Sequence, residues 1–468
     1  MIKKLNELVL PMQRRIEVLF YLMVAFALLG PSVGIAITPD FKLTFFRVAF
    51  LLLAGVLIIR LVTHKKIETS DLHPVRWYFA FFGFWFVYSL ISLTWVADMK
   101  MGIRYTVFLG MMLPLALSFP YFIKTEKVYW RMLKILFGVF AVIATFPLFE
   151  SITYIHLPSS RYYGYIDNPT ITSVFNNQND LATAMTILIP YLITALYMLN
   201  IKVKHKVMIY SVLVLSLFTL FATASRSNTS FVLPLILLTL IASVPFTVNR
   251  RKITLKHVGI SIVLTGLAIV LVSGISMVAL SEKARDAINV KLGSTGDFLD
   301  DVKNAATNQD ENYENKSGES AAERTELIFS GLEFLQKSHY MGVGAGNTEA
   351  WMGTKDFETV NIHNWWMEVL VNYGVFVFVL YMALYLWMLW RLWKIASHKN
   401  SHVVSQSLRY GAVATLISLI GFFIGGMAPS TAIHYTPMWC IYGIGLAVIV
   451  LGEKQLKQKE NLSAVKNA

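Results

Sequence analysis

Apolar windows of about 20 residues recur along this chain, near 17–36, 43–62, 77–96, 103–122, 131–150, 179–200, 207–224, 229–248, 257–280, 366–389, 410–428 and 435–452. A helix rises 1.5 Å per residue, so each window is long enough to cross a hydrocarbon layer roughly 30 Å thick. Backbone amides find no water in that layer, which leaves helices as the way to satisfy them. The sequence therefore reads as an all-α integral membrane protein with about 12 transmembrane helices. Composition agrees, with 56% hydrophobic and 15% charged residues and a mean hydropathy of +0.56, whereas soluble domains keep about a quarter of their residues charged. The single cysteine, Cys440, sits in a late apolar window and excludes both a disulfide framework and a thiolate metal cluster.

Lysine and arginine are distributed unevenly among the connections. Lys3, Lys4, Arg14 and Arg15 precede the first window, and no small-residue cleavage site follows it, so that span is expected to be retained. If the chain then alternates sides, Lys65, Lys66 and Arg76, Lys124, Lys127 and Arg131, Lys202 to Lys206, Arg250 to Lys256, Arg391 to Lys399 and the tail from Lys454 all fall on the same side as the N-terminus. The positive-inside rule makes that side the cytoplasm, with both termini in it. The formal net charge of +13 resides largely in these loops. No basic stripe with interleaved aromatics lies in a soluble segment, so nucleic acid is excluded as a partner. The resulting division is a membrane bundle over 1–280 (spans 1–9), an extracytoplasmic loop over 281–364, a second bundle segment over 365–452 (spans 10–12) and a cytoplasmic tail over 453–468.

The interval 281–364 is the longest hydrophilic stretch, and its acidic residues outnumber its basic ones by roughly two to one. Its segment 291–320 is polar and nearly free of large aliphatics, the composition of a mobile surface stretch. From about 321 an amphipathic helix is expected, with Leu327, Ile328, Gly331, Leu332 and Leu335 at helical spacing. Ser320 and Glu323 have capping-box spacing at its start, and Arg324 falls in its first turn. MGVGAGN follows. No strand precedes it, so it reads as a glycine-rich turn rather than a dinucleotide fingerprint. The outer loops hold no HExxH and no close His/Cys cluster, and Asp300–Asp301 lie in the mobile segment. Neither a metal nor a cofactor is therefore expected.

Three residues carry candidate chemistry. Arg226 sits between Ser225 and Ser227 in a short outer connection, FATASRSNTS, where arginine is otherwise sparse. An arginine at a helix end ordinarily snorkels to the interface, but a guanidinium held there can also grip a phosphate through paired N–H donors. Arg324 reads either as a solvated helix arginine near Glu323 and Glu326 or as a second such cation. His363 precedes Asn364, Trp365 and Trp366 at the expected outer interface. It reads either as a backbone-bonded interfacial histidine or as a group able to take a proton near neutral pH. Arg161, in SSRYYGY, and His434, in STAIHYTP, are also on the outer side. Each is more readily structural, though either can border a site.

Four stretches, in order, resemble the O-antigen ligase and polysaccharide polymerase superfamily of polytopic membrane glycosyltransferases. FNNQNDLAT (175–183) resembles its Asn-Pro-Asn element with Gln178 in place of proline, and TASRSNTS resembles its Ser-Arg element with Ser227 where glycine is common. ERTELIFSGLEFLQKSHYMGVGAGN resembles the arginine-helix-GVG segment of the large outer loop, and HNWWMEVLVNYGVFVF the His-Asn segment that opens the next span. The resemblance covers about 160–390. It implies a GT-C-like bundle with short helices in the outer loop, in a bacterial plasma membrane. It also implies catalytic roles for Arg226, Arg324 and His363, with Arg161, Asn177, Asn179, Ser225 and Asn364 on the substrate. No metal or other cofactor is implied. The implied partners are a polyprenyl-diphosphate-linked glycan donor, a glycan or lipid acceptor, membrane lipids and other polysaccharide-assembly proteins.

The expected activity is metal-independent, inverting transfer that polymerises a cell-surface polysaccharide of capsular, exopolysaccharide or teichuronic type. The alternative is a ligase that hands a finished glycan to a lipid or protein. A transporter or flippase is a further alternative. It calls for charges near mid-span, for which Arg47 is the one obvious candidate, and for repeated halves, which the sequence lacks. An anchoring or receptor protein is the last, and the poorly apolar outer loop fits a lid over the bundle better.

Overall fold

The computed structural model describes residues 2–38, 41–64, 70–249, 253–293, 319–355, 361–429 and 433–467. Long helices follow the apolar windows: α1 (Ile2–Leu29), α2 (Phe45–His64), α3 (Arg76–Ser92), α4 (Met99–Phe122), α5 (Glu126–Thr153), α6 (Gln178–Met198), α7 (Val203–Ala222), α8 (Leu233–Thr247) and α9 (Leu255–Ala279). The hydrophilic interval contributes α10 (Glu282–Gly293), α11 (Glu319–Lys337) and α12 (Asn347–Met352) before α13 (Trp365–Ala396), α14 (Gln406–Gly425) and α15 (Thr436–Asn467) complete the bundle. Among the described residues eleven helices are long and apolar enough to cross a membrane, and α1 covers the first of the twelve windows. The chain is an all-α multi-pass membrane protein. A small antiparallel hairpin, β1 (Gly34–Thr38) and β2 (Phe41–Thr44), joins α1 to α2 where the first window was expected to run on to residue 36. The last window and the tail form one continuous helix, α15.

The central helices are α6, α14 and α15, whose apolar windows are 83%, 83% and 94% buried, whereas α9 at the edge is 6% buried and turns its leucines and valines outward. That outward apolar surface is what a lipid solvent tolerates, so burial in this bundle reports position rather than hydrophobic drive. At the centre of the bundle Trp85, Trp365, Tyr381, Trp439 and Tyr442 stack and tilt against one another. Trp365 Nε1 donates to the Tyr381 hydroxyl at 3.0 Å, and Trp366 Nε1 donates to the Phe423 carbonyl at 2.7 Å. The sequence places these two indoles at the membrane interface. The structure buries them instead, at 1% and 6% exposure, because each N–H finds a partner inside the bundle.

One end of the bundle gathers basic side chains. Arg391 donates to Glu453 Oε1 through Nε at 2.7 Å and Nη2 at 2.6 Å. Arg409 donates to the Ala396 carbonyl at 3.2 Å and to the Thr247 carbonyl, at the C-terminal ends of α13 and α8. Those last carbonyls lack helical partners and carry the negative end of the dipole, so a guanidinium there completes both. A mainly apolar recess of about 350 Å³, lined by Phe246, Trp390 and Trp393 among others, opens on the flank toward this end. Arg47 lies in the first turn of α2, at the opposite end and at the edge of its span rather than near the middle as the transporter alternative requires.

At that opposite end α13 is broken. Gly374 takes φ 81° and ψ 173° inside it, and the groups released by the break pair with the glycine-rich turn. Val375 N donates to Tyr340 O at 3.0 Å, Val343 N to Val371 O at 2.9 Å and Gly344 N to Asn372 O at 3.0 Å. The two backbones are so close that a Cβ on Gly342, itself at φ 91°, falls 2.6 Å from the Asn372 carbonyl oxygen and from Gly374 N. MGVGAGN is thus the turn expected from sequence, and its glycines allow main chain to pack on main chain. Gly342→Ala is expected to cost at least the roughly 1–2 kcal/mol of a left-handed Cβ, read as a lower thermal midpoint in detergent. An unchanged midpoint would refute the clasp.

The described part of the hydrophilic interval shares a small core with α13, made of Leu327, Phe334, Val343, Met352, Ile362 and Val371. It fastens α11 to the start of α13. The buried stripe of α11 is rotated from the expected one, with Phe334 2% exposed and Leu332 42% exposed, because Leu327 and Phe334, seven residues apart, are the pair that meets this core. The helix begins at Glu319, which puts Ser320 inside it rather than at an N-cap. Residues 294–318, with Asp300, Asp301 and most of the acidic segment, lie outside the described residues, as does the side chain of Arg324.

Candidate active site

Arg226 stands where α7 gives way to α8. Ala224 is at φ 49°, and Ser227–Val232 form a single π-helical turn, a wider winding that re-aims the side chains around it. The turn is fixed by Asn228, which is fully buried: its Nδ2 donates to Ser225 Oγ at 3.1 Å and to Thr183 Oγ1 at 3.2 Å, while its Oδ1 accepts from Thr186 Oγ1 at 3.3 Å. Arg226 itself is half-buried. Ser225 is therefore part of the frame that sets this turn, and Asn228 is the residue that sequence reasoning passed over. Its polar neighbours Thr183 and Thr186, one turn apart and flanked by alanine, methionine and isoleucine in α6, were the available signal.

His363 is also held in an unusual backbone, at φ 48°. A β-carbon makes that region costly, so surrounding bonds must enforce it. They begin with His363 N, which donates to Asn361 Oδ1 at 2.8 Å; Asn361 Nδ2 donates to Glu349 Oε1 at 2.9 Å, and the Tyr105 hydroxyl of α4 donates to the same oxygen at 2.5 Å. Immediately after, Asn364 caps α13 by accepting from Trp366 N at 3.1 Å and Met367 N at 3.3 Å. Glu368, 5% exposed, follows in the first turn. The histidine thus sits between a polar chain that reaches back to α4 and a capped helix N-terminus, and Tyr105, Glu349 and Asn361 join the residues that sequence reasoning did not find.

The two turns meet on the C-terminal end of α14. A Cβ on Gly425 lies 3.6 Å from Asn228 Oδ1, and the carbonyl of Gly426 accepts from Trp365 N at 2.9 Å. Arg226 is two residues from the first contact and His363 two residues from the second. Asn177 caps α6 at the same end, accepting from Asp180 N at 3.0 Å, and the Tyr435 hydroxyl donates to the Asp180 carbonyl at 2.8 Å. Asn179 lies in the first turn of α6 and is half-buried. Arg161 is exposed in the loop after α5, with its N–H bonded to the Asn176 carbonyl at 3.0 Å. Arg324 lies in α11 one turn before Leu327, which shares a core with Ile362, the neighbour of His363.

This end therefore brings together a guanidinium, an imidazole and several amides from four separate stretches of chain. No group of three or more His, Cys, Asp or Glu side chains suited to a metal occurs among the described residues. Such a constellation suits an anion carried on a membrane lipid, with a proton acceptor beside it.

Residues 211–382 match the family model described as O-Antigen ligase. This is the superfamily that the four motifs resemble. The matched segment runs from α7 through the break in α13 and holds Ser225, Arg226, Arg324, His363 and Asn364, while Arg161, Asn177 and Asn179 precede it. The chain is also 26% identical to the teichuronic acid biosynthesis protein TuaE of Bacillus subtilis (strain 168), over 450 residues that span 93% of this chain and 85% of that protein. The similarity thus extends through the first spans, beyond the stretch on which the sequence motifs lie. The chain is thus similar over its middle to a family described as O-antigen ligases, and over most of its length to a teichuronic acid biosynthesis protein.

Proposed function

We propose that this protein is a glycosyltransferase that draws on a polyprenyl-diphosphate-linked glycan and extends a cell-surface polysaccharide. The observation that carries the reading is the meeting of the Arg226 and His363 turns on one helix end, at the end of the bundle away from the clustered arginines Arg391 and Arg409. By the positive-inside rule that clustered end is cytoplasmic, so the site faces outward, where lipid-linked glycans present their sugars. The diphosphate leaving group already stores the energy of transfer. What the protein adds is positive charge where negative charge grows as the anomeric C–O bond breaks, and a base for the incoming hydroxyl. Arg226 and Arg324 take the first role and His363 the second, with Arg161, Asn177, Asn179, Ser225 and Asn364 framing the glycan and its headgroup. Attack opposite the departing diphosphate inverts the anomeric centre.

Asn361 is a positioning residue in this scheme, since it holds the strained His363 backbone through one side-chain bond. Asn361→Ala is expected to lower kcat by about 10²-fold while KM for the donor holds, the loss that a misplacement of about 1 Å brings. Equal changes in kcat and KM would assign it to binding instead.

The family description favours one second reading, a ligase that moves a finished glycan to another acceptor, whereas the name of the Bacillus relative is compatible with chain extension. Product analysis in cells lacking the protein separates them. Loss of long chains with single repeat units still transferred supports the polymerase; accumulation of long lipid-linked chains supports the ligase. Unchanged surface polysaccharide would remove both.

A further inference from the structure

α8 and α13 each pack along α14 but scarcely against each other. At one end they are tied, because Arg409 of α14 donates to the last carbonyl of each, Thr247 and Ala396. Phe246 and Trp393 meet beside that tie, with ring centroids 5.0 Å apart. Between the two helices lies the recess of about 350 Å³, walled by the short side chains Ala242 and Ser243 on α8 and the indoles of Trp390 and Trp393 on α13, with Leu416 and Ile420 of α14 completing it. The lining hydroxyls are used within their own helix. Thr239 Oγ1 donates to the Leu235 carbonyl at 2.7 Å and Ser243 Oγ to the Leu240 carbonyl at 2.8 Å. What an occupant meets is therefore mostly carbon.

A gap left on the flank of a membrane bundle denies its lining the dispersion contacts of a packed wall, and a flexible hydrocarbon chain restores them. A sugar or a free phosphate finds too little there to replace its water. The rim is different. Lys394, in the last turn of α13, holds its Nζ 5.9 Å from the centroid of the Trp390 ring. It is exposed, and among the described residues no carboxylate pairs with it, Glu453 being taken by Arg391. Trp390 is itself 58% exposed, and an indole joins an apolar body to one N–H, the combination suited to the junction of hydrocarbon and headgroup. A carbon-lined recess with a cation beside it at the end of the bundle is complementary to a hydrocarbon chain that carries a negative headgroup.

We propose that this recess seats one anionic phospholipid, with an acyl chain between α8 and α13 and its phosphate at Lys394, in the leaflet on the Arg391 and Arg409 side. The site is independent of the glycosyl-transfer reading and lies at the opposite end of the bundle from Arg226 and His363. Its effect is mechanical. α8 follows the Arg226 turn and α13 begins two residues after His363, so a chain wedged between their far ends fixes the spacing of the two helices that lead from those residues.

Native mass spectrometry of the full chain in detergent, with added phosphatidylglycerol or phosphatidylcholine of the same acyl chains, tests it. The wild type is expected to retain one phosphatidylglycerol, preferred over phosphatidylcholine by about fivefold, the worth of one lysine at an anionic surface. Lys394→Gln should lose that preference. Ala242→Phe, which grows the low wall into the recess, should retain neither lipid, with a thermal midpoint no lower than that of the wild type. Equal retention of the two lipids by the wild type, a preference that survives Lys394→Gln, or phosphatidylglycerol held by Ala242→Phe overturns the proposal. So does displacement of the lipid by equimolar sugar-free polyprenyl phosphate, or a lipid-free dimer in its place. A second reading leaves α8 unchanged: phosphatidylglycerol brominated on its acyl chains should quench tryptophan emission more than brominated phosphatidylcholine, and the excess should vanish in Trp390→Phe/Trp393→Phe. An excess that persists in that variant places the lipid elsewhere and overturns the site.

Discussion

His363→Asn is expected to lower glycan transfer by about 10²–10⁴-fold, the range of a lost general base, with expression and thermal midpoint unchanged. Asparagine is the informative choice because His363 sits at φ 48°, a region that asparagine tolerates and that adds about 1–2 kcal/mol of strain for most side chains. Alanine at this position mixes loss of the imidazole with loss of the backbone geometry; asparagine removes the proton acceptor alone. The residual rate should also lose the pH dependence that an imidazole gives, since no titrating group then remains at the hydroxyl. Retention of more than a tenth of the wild-type rate, or an unaltered pH profile, would remove His363 from the chemistry.

The second large effect is on stability. Glu150, 1% exposed near the end of α5, is surrounded by donors. Its Oε1 lies 2.7 Å from His156 Nδ1 and 3.0 Å from Thr172 Oγ1, and its Oε2 accepts from Thr172 N at 2.9 Å and Ser173 N at 2.8 Å. His156 Nε2 lies 3.1 Å from the Asn168 carbonyl oxygen, so the ring bridges Glu150 to the loop that follows α5. Glu150→Ala strands these buried donors, at about 1–3 kcal/mol for each that is left without a partner. Glu150→Gln should cost far less. Its amide nitrogen, placed at Oε1, still reaches His156 Nδ1 and Thr172 Oγ1, while its oxygen keeps the two backbone bonds. Unfolding in detergent should rank wild type and glutamine close together and alanine well below. Because this cluster ties down the loop that carries Arg161, alanine should also loosen that loop to proteolysis. Equal midpoints for alanine and glutamine would contradict the account.

Much of the bundle was legible in the sequence because length and hydropathy are direct consequences of a bilayer as solvent. The twelve windows became helices, most with ends displaced by a few residues, while α1 starts well before its window and α13 and α15 run on past theirs. What escaped was set by packing that hydropathy does not encode. Trp365 and Trp366 have the composition of interface anchors, and their burial depends on Tyr381 and on the Phe423 carbonyl, 16 and 57 residues away. The break in α13 was invisible because Gly374 lies in an apolar run, and its purpose appears once the Gly342 turn is laid against it. The turn character of MGVGAGN was readable from its glycines alone. Of the candidate site, Arg226 and His363 were legible as polar residues at span ends. Asn228, Asn361 and Glu349 were not, since each acts by bonding another stretch of chain.

The account depends most on an anionic lipid-borne donor meeting cations and an imidazole at one end of the bundle. Purified protein in detergent, given a synthetic polyprenyl-diphosphate sugar and an acceptor in the presence of a chelator, tests this directly. Wild type should form the glycosidic product and release polyprenyl diphosphate, and Arg226→Gln should form none above background. Transfer that ceases with the chelator, or that proceeds at the wild-type rate in Arg226→Gln, would contradict it.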